Sequence, residues 1–230
     1  MFRKLSAILL WGAALSAMQL AAADFALVMD GKAVSAVIVK KNAPPPVKYG
    51  AQELSLYLGK ITMASPQIAE KRIDGLYNVF VGTAEDAELS AKAGLVPGTL
   101  KEDGFLLNAS GDGLYIVGAN PRGALYGCYE ILKKYGGIRW LVPGDDGEYV
   151  PSRSSVSVPE QKSIHNPFLR ERKTVAAEVT AYRWLARNNM HSEAYTGRFT
   201  DTFTHKRTKL ADTLDSLAVT GGAYGGHILT

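Results

Sequence analysis

From residue 47 the apolar positions Val47, Ala51, Leu54, Leu58 and Ile61 recur at helical period, with Lys48, Gln52, Glu53, Ser55 and Lys60 on the other side. This is the pattern of an amphipathic helix lying on a core. It is preceded by the β-branched run Ala36, Val37, Ile38 and Val39, which Asn42-Ala-Pro-Pro-Pro46 brings to a stop, because neither a helix interior nor a central strand accommodates consecutive prolines. Tyr77-Asn-Val-Phe-Val-Gly82 reads as a buried strand, and residues 86–94 as a short surface helix or turn before Pro97. Gly104-Phe-Leu-Leu-Asn108 and Leu114-Tyr-Ile-Val117 flank Ser110-Gly-Asp-Gly113, the composition of a tight turn, and together predict a hairpin. Asn120 then stands as a helix N-cap with Pro121 at the first helical position, and Gly136-Gly137 is the stop signal. On that helix Ala124, Leu125, Cys128, Ile131, Leu132 and Tyr135 share a face, so the single cysteine is expected in the core. Strand, helix, strand, hairpin and helix in this order predict an α+β fold, in which helices cover one face of a mixed sheet of about four strands.

A change of composition at Pro143-Gly-Asp-Asp-Gly147, continuing through Pro151-Ser-Arg-Ser-Ser155 to Pro159, places a domain boundary near residue 159. Beyond it, residues 168–175 read as a strand, residues 177–188 as a helix with Ala181, Trp184 and Leu185 on one side, and residues 206–217 as a second helix. Two helices without a strand partner make a poor independent core. Residues 160–230, ending on the apolar run His227-Ile-Leu229, are therefore expected to belong to a larger domain that is truncated here.

The N-terminus changes how the charge is read. Met1-Phe-Arg-Lys4, an apolar stretch over residues 5–18, and Ala21 and Ala23 before Asp24 have the layout of a secretory signal peptide cleaved after Ala23. An uncleaved anchor is the competing reading, since Trp11 and Leu20 lengthen the apolar run. The whole chain carries a formal charge of +4, but removing residues 1–23 takes away Arg3 and Lys4 and no acid. This leaves 24 basic against 22 acidic residues, a balance of +2, and much weakens any case for a nucleic-acid partner. With 47% apolar and 21% charged residues the chain is neither disordered nor a multi-span membrane protein. A secreted or periplasmic protein with no nucleic-acid and no integral membrane partner is the expectation.

Candidate chemistry is sparse. Gly118-Ala-Asn-Pro-Arg-Gly123 lies between a strand and a helix, where a phosphate loop would lie, but Ala124-Leu125 replace the Lys and Ser or Thr that such a loop needs, and G-x-G-x-x-G is absent. It reads as a turn and cap, with Arg122 pairing locally or meeting a partner domain. The histidines at 165, 191, 205 and 227 have no metal-ligand spacing, and no nucleotide, metal or other cofactor is expected. The acid pairs Glu102-Asp103 and Asp145-Asp146 fall in turn-rich stretches and read as solvated loops, since sugar hydrolysis needs two carboxyls held apart across a cleft. There is no G-x-S-x-G elbow.

Tyr49-Gly-Ala-Gln-Glu-Leu54 with Tyr57-Leu58, then Asn78-Val-Phe-Val-Gly82, Asp103-Gly-Phe105, Leu114-Tyr-Ile-Val-Gly118, Pro121-Arg-Gly-Ala-Leu-Tyr-Gly127, Gly137-Ile-Arg-Trp140 and Pro143 occur in this order. The succession resembles the N-terminal accessory domain of bacterial alpha-glucuronidases, a domain that also precedes the catalytic barrel in beta-hexosaminidases and in large secreted bacterial proteins. With the signal peptide at 1–23 set aside, the resemblance implies an accessory domain over 24–159 without catalytic residues, and the start of a (β/α)₈ barrel over 160–230. Trp184 and Arg187-Asn-Asn189 resemble the first barrel helix and its exit, and Gly225-Gly-His227 a motif at the second barrel strand. It further implies glycan breakdown on an oligosaccharide or polysaccharide substrate, with the catalytic acids on later barrel strands, so that these 230 residues alone are expected not to hydrolyse glycosides. His227 is the one candidate substrate-binding residue. A non-catalytic carbohydrate-binding or structural module is the alternative, with Tyr57, Tyr77 and Tyr126 as candidate stacking residues if they are exposed.

Overall fold

The computed structural model describes residues 24–111, 113–169, 172 and 179–191. In chain order the elements are β1 (Phe25–Met29), β2 (Lys32–Ala33), β3 (Ser35–Ile38), α1 (Pro45–Thr62), β4 (Gln67–Ala69), β5 (Tyr77–Thr83), α2 (Ala87–Lys92), β6 (Phe105–Ser110), β7 (Gly113–Gly118), α3 (Pro121–Ile131), β8 (Arg139–Trp140), β9 (Glu148–Tyr149), β10 (Val156–Val158), β11 (Gln161–His165) and α4 (Val179–Arg187). The fold is mixed α and β, as the sequence predicts, but the sheet is larger than expected. Six strands run in the order β11-β6-β7-β5-β3-β4. Four neighbouring strands, β4, β3, β5 and β7, are parallel, and β6 and β11 extend the sheet on the β7 side by antiparallel pairing. A three-stranded ribbon β10-β1-β2 and the pair β8-β9 complete the strands.

The two extra sheet strands escaped the sequence reading for a physical reason. β4 is three residues long and β11, Gln161-Lys-Ser-Ile-His165, is a polar edge strand without an apolar face, so neither carries a period-2 signal. β11 pairs residue by residue with β6, from Gln161 opposite Ala109 to His165 opposite Phe105. The sheet therefore runs past Pro159, where composition alone places the boundary.

Helices α1 and α3 pack side by side on the front of the sheet. Val47, Ala51, Leu54, Leu58 and Ile61 of α1, Leu125, Cys128, Ile131 and the following Leu132, and Val79, Val81, Leu107 and Ile116 of the strands form one core. Burial of the Val, Leu and Ile side chains among these, each contributing about 1.5–3 kcal/mol, is what holds the layers together. α3 is capped as its sequence predicts: the Asn120 side chain accepts from the Gly123 N–H at 2.8 Å, with Pro121 in the first turn. It passes into one π turn over Leu132–Gly136, and Gly137, with φ of 79°, ends it. Gly123 and Gly127 explain how close α3 lies to the sheet. A Cβ on Gly123 would stand 2.4 Å from the Gly104 carbonyl oxygen, and one on Gly127 2.5 Å from Ile116 Cγ2. The stretch that carries the family resemblance is thus a packing device.

Helices cover more than one face. On the back, Leu106, Tyr115 and Val117 form a smaller core with Ala93, closed by Leu89, Leu95 and Leu100 from α2 and the chain after it. β7, covered on both sides, is buried at every position. No helix among the described residues is long and apolar enough to cross a membrane. The strand expected over 168–175 lies largely outside the described residues, and the helix expected over 206–217 wholly so.

Candidate functional site: a buried charge clamp on helix α4

The helix expected over 177–188 is present as α4, and it joins the main core through Tyr182, Leu185 and Ala186. Its last residue, Arg187, enters a buried polar cluster built by four other elements, α1, α3, β8 and β9. Nη1 donates to Glu148 Oε1 of β9 at 2.7 Å, and Nη2 and Nε donate to Glu53 Oε2 of α1 at 3.1 and 3.2 Å. The guanidinium also lies over the rings of Tyr57 and Trp140, 5.2 and 5.4 Å from their centroids. Each carboxylate has further donors: Tyr129 Oη gives to Glu53 at 3.1 Å, and Tyr57 Oη and Lys60 Nζ give to Glu148, the latter at 3.0 Å. Trp140 Nε1 in turn donates to Tyr57 Oη at 3.3 Å.

Around this centre α4 makes neutral contacts with the same platform. Trp184 Nε1 and Asn188 Nδ2 both donate to the Trp140 carbonyl, at 3.0 and 3.2 Å, and Tyr126 Oη donates to the Met190 carbonyl at 3.0 Å. The side chains of Arg187, Glu53 and Glu148 are 11%, 6% and 8% exposed, so this is a desolvated clamp and not a surface ion pair. Burial pushes the Glu148 carboxyl up, but the hydrogen bonds from Tyr57 and Lys60 and the charge of Arg187 outweigh it and hold the group below its usual value. Burial, more than any other cause, raises the Tyr57 hydroxyl, and its bond to Glu148 adds to this against the opposing charge of Arg187. The phenols therefore stay protonated donors and Glu148 stays an acceptor.

The expectation that Glu53 sits on the polar face of α1 is corrected: it is buried because α3 and α4 both close over it. A signal was available. Tyr49, Glu53 and Tyr57 stand four residues apart, an aromatic stripe that a solvated helix face does not need. The reading of Glu102-Asp103 as a wet turn is corrected as well, since Asp103 is 2% exposed. Its carboxylate accepts from Arg122 Nε at 2.8 Å and Asn120 Nδ2 at 2.9 Å, and Arg172 Nη2 lies 3.5 Å away. Arg122 thus pairs locally. Asp145 and Asp146 are exposed in a short 3₁₀ turn, as expected. Cys128 is fully buried and burial pushes its thiol up. Tyr57 and Tyr126 are buried and Tyr77 is 45% exposed. His205 and His227, the latter the one site residue expected from sequence, lie outside the described residues.

A second feature is topological. From β3 the chain leaves through α1 on the front, and from β5 through α2 on the back, so the carboxyl ends of these two neighbouring parallel strands open a crevice. Open α/β sheets commonly bind ligands at such a switch point. The crevice, about 460 Å³, holds Asn42, Pro44, Thr83 and Glu85 and is crossed by an ion pair of Lys40 Nζ with Asp86 Oδ2 at 2.6 Å. It is not an anion cradle: Pro44, Pro45 and Pro46 have no N–H to offer at the start of α1, and Glu85, Asp86 and Glu88 oppose the single Lys40.

Residues 25–131 match the model of the glycosyl hydrolase family 67 N-terminus. A probable alpha-glucuronidase A of Aspergillus oryzae is 33% identical over 98 residues, and an alpha-glucuronidase A of Aspergillus tubingensis 29% over 96. These stretches cover 43% and 42% of this chain but only 12% and 11% of the fungal proteins, so the chain matches a small part of their length. Among solved structures, a GH115 4-O-methyl-alpha-glucuronidase with specificity for decorated arabinogalactans has the same fold over 83% of this chain and 28% of its own, with a TM-score of 0.57 at 18% identity.

Proposed function

Starting from residues 25–131 as a domain of the glycosyl hydrolase family 67 N-terminal kind, we propose that this chain is the accessory part of a secreted glycan-degrading protein, and that its task is to anchor and orient the module that begins at α4. The observation that carries this reading is Arg187, held between Glu53 of α1 and Glu148 of β9. A helix fixed by a three-point buried charge clamp, an aromatic sandwich and three neutral hydrogen bonds has one orientation relative to the sheet, and whatever continues from it inherits that orientation. The small share of the fungal alpha-glucuronidases that this chain matches supports placing the catalytic groups in a following module. The substrate class proposed is a glycan bearing uronic acid, and the residues after β11 are read as the first part of a (β/α)₈ barrel. His227 would then lie near the substrate end of that barrel. Residues 1–23 are read as the export signal, with mature protein beginning at Asp24.

The test is release of free uronic acid from a glucuronate-bearing oligosaccharide, by the protein translated from the complete reading frame and by residues 1–230 alone. Hydrolysis by the first and not by the second is the expected outcome. Hydrolysis by the 230 residues would refute the accessory role, and a complete protein without activity would refute the glycosidase reading. The burial of Tyr57 and Tyr126 removes two of the three aromatics on which a sugar-binding module was to rest, so the alternative must find another surface.

A further inference from the structure

We infer that the outer face of the β8–β9 hairpin, together with the C-terminal end of α3, is a landing surface for an acidic glycan chain, separate from the clamp. The choice of a glycan rests on the function proposed above; the surface itself rests on three observations. The first is the pleat of the hairpin. Trp140 stands opposite Glu148, and Arg139 opposite Tyr149, and successive side chains of a strand point to opposite faces. Trp140 and Glu148 turn inward to Arg187 of α4. Arg139 and Tyr149 therefore share the other face, away from the clamp, with Cβ atoms about 4.5–5.5 Å apart as in other directly opposed pairs. Both are exposed.

The second observation is the ring. Tyr149 is 58% exposed, and among the described residues its side chain has no hydrogen-bond, ring or cation partner. In this it differs from Tyr57 and Tyr126, which are buried, and from Tyr77, whose ring stands edge-on to Phe25 at 5.1 Å. A pyranose presents a flat face of C–H groups, and a tyrosine offers it a rigid apolar plane with a polar tip at little conformational cost.

The third is charge. Arg139 Nη1 donates to the carbonyls of Lys133 and Ile138 at 2.8 and 2.7 Å, and Arg153 Nη1 to that of Tyr135 at 3.0 Å. Gly137 makes room for the second arginine, since a Cβ there would stand 2.7 Å from Arg153 Nη2. Neutral carbonyls thus fix two guanidiniums at the end of α3 without cancelling their charge, and neither arginine forms an ion pair among the described residues. The helix dipole leaves about half a negative charge at this end, which the two guanidiniums outweigh. Residues 130–140 and Arg153 hold four cations, Lys133, Lys134, Arg139 and Arg153, against one carboxylate, Glu130, which lies 3.8 Å from Lys133. Asp145 and Asp146 stand at the turn of the hairpin, so an acidic chain is drawn to the helix end and away from the turn. With Nη1 occupied, Arg139 keeps its Nε–Nη2 edge, the edge by which Arg187 holds Glu53. A carboxylate takes such an edge by two parallel hydrogen bonds, which a lysine does not reproduce. The occupant assigned is a uronic acid residue of a glycan chain, its ring over Tyr149 and its carboxylate on that edge of Arg139.

The experiment is isothermal titration of the purified full chain with a glucuronate hexasaccharide, and with the same hexasaccharide whose carboxyls have been reduced to alcohols. The acid should bind, more weakly as salt is raised, and the alcohol should bind about tenfold more weakly than the acid. Arg139→Lys keeps the cation but not the planar edge, and should weaken the acid about tenfold while leaving the alcohol unchanged. Tyr149→Ala, at an exposed position, should weaken both sugars about tenfold without moving the melting temperature. Equal binding of acid and alcohol, or either variant binding the acid like the parent, overturns the assignment. So does no binding of either sugar, which would leave this face, where Leu141 and Val142 are also exposed, to a protein partner. If Arg139→Lys melts below the parent, Tyr149→Ala decides alone. Failure here is distinct from failure of the proposed function: a complete protein that hydrolyses glycans while this chain binds none removes the landing surface alone, and one that binds without hydrolysing removes the glycosidase alone.

Discussion

Replacing Arg187 with Met keeps most of the apolar stem while removing the guanidinium, and isolates what the clamp contributes. Glu148 would keep Lys60 and Tyr57, whereas Glu53, 6% exposed on its side chain, would keep only the Tyr129 hydroxyl among the bonds described above. The cost therefore falls on Glu53, a buried carboxylate that loses its counter-charge, and such losses run at about 3–5 kcal/mol. At the lower end, because one hydroxyl still serves it, about 3 kcal/mol lowers the melting temperature of a chain this size by about 6–12 °C. The partner change Glu53→Gln leaves Arg187 bonded to Glu148, and the double variant Glu53→Gln with Arg187→Met should lose less than the two singles added, by about 1–3 kcal/mol. Denaturant melts of the four proteins give that coupling, and amide hydrogen exchange of Tyr182, Leu185 and Ala186 shows whether the loss is seated in α4. Additive single changes, or α4 amides protected equally in Arg187→Met and the parent, would refute the clamp as the feature that fixes this helix.

Other consequences are open to measurement. Glu148 is held below its usual value near 4.5, so the stability it supplies is complete above about pH 4.5 and is lost as pH falls through the depressed folded-state value. Glu148→Gln should accordingly flatten the acid limb of a pH–stability curve. Gly123→Ala should cost about 1–3 kcal/mol in a thermal melt, because the new methyl meets the Gly104 carbonyl oxygen at 2.4 Å and neither backbone can give way cheaply. Cys128, fully buried with a raised thiol, should resist alkylation in the native protein and react stoichiometrically once denaturant unfolds it. A chain ended at Pro159 loses β11 and exposes the edge of β6, so it should melt below one ended at Leu169 and aggregate more readily on heating.

The elements legible in the sequence are those whose signal is local. The β6–β7 hairpin announces itself by two apolar runs around Ser110-Gly-Asp-Gly113, and α3 by Asn120-Pro121 and the apolar face through Cys128; each is found within a few residues of the expected place. What is missed depends on partners far along the chain. β1 takes its sheet register from β10, with Phe25 opposite Val158, and β11 from β6. Glu53 is buried by Arg187, 134 residues away, and Tyr57 bonds Glu148 across 91. Helical period assigns Glu53 to a polar face correctly as far as α1 alone is concerned; only the arrival of α3 and α4 turns that face inward. The glycine and aromatic motifs that carried the family resemblance were readable as a pattern, but their cause, the close seat of α3 on β7, is a property of the packed structure.

The clamp bears on where glycan chemistry can take place. Two buried carboxylates near aromatic rings resemble, in composition, the acid and base pair of a glycosidase, yet the electrostatics run the wrong way. A general acid must hold a proton near neutral pH, which requires burial or a like charge to push its carboxyl up. At Glu148 burial does act in that direction, but Tyr57, Lys60 and Arg187 outweigh it and hold the carboxyl below its usual value, so the group is ionised near neutral pH. Glu53 faces the same guanidinium through two of its nitrogens. A nucleophile or general base must also present a free lone pair to a sugar or a water, whereas these two carboxylates accept six hydrogen bonds from four side chains, Arg187, Tyr129, Tyr57 and Lys60. Catalysis would require opening the clamp, and opening it would release α4. The same residues cannot both fix the orientation of the following module and turn over substrate, so the chemistry proposed for the complete protein belongs to carboxylates outside this cluster.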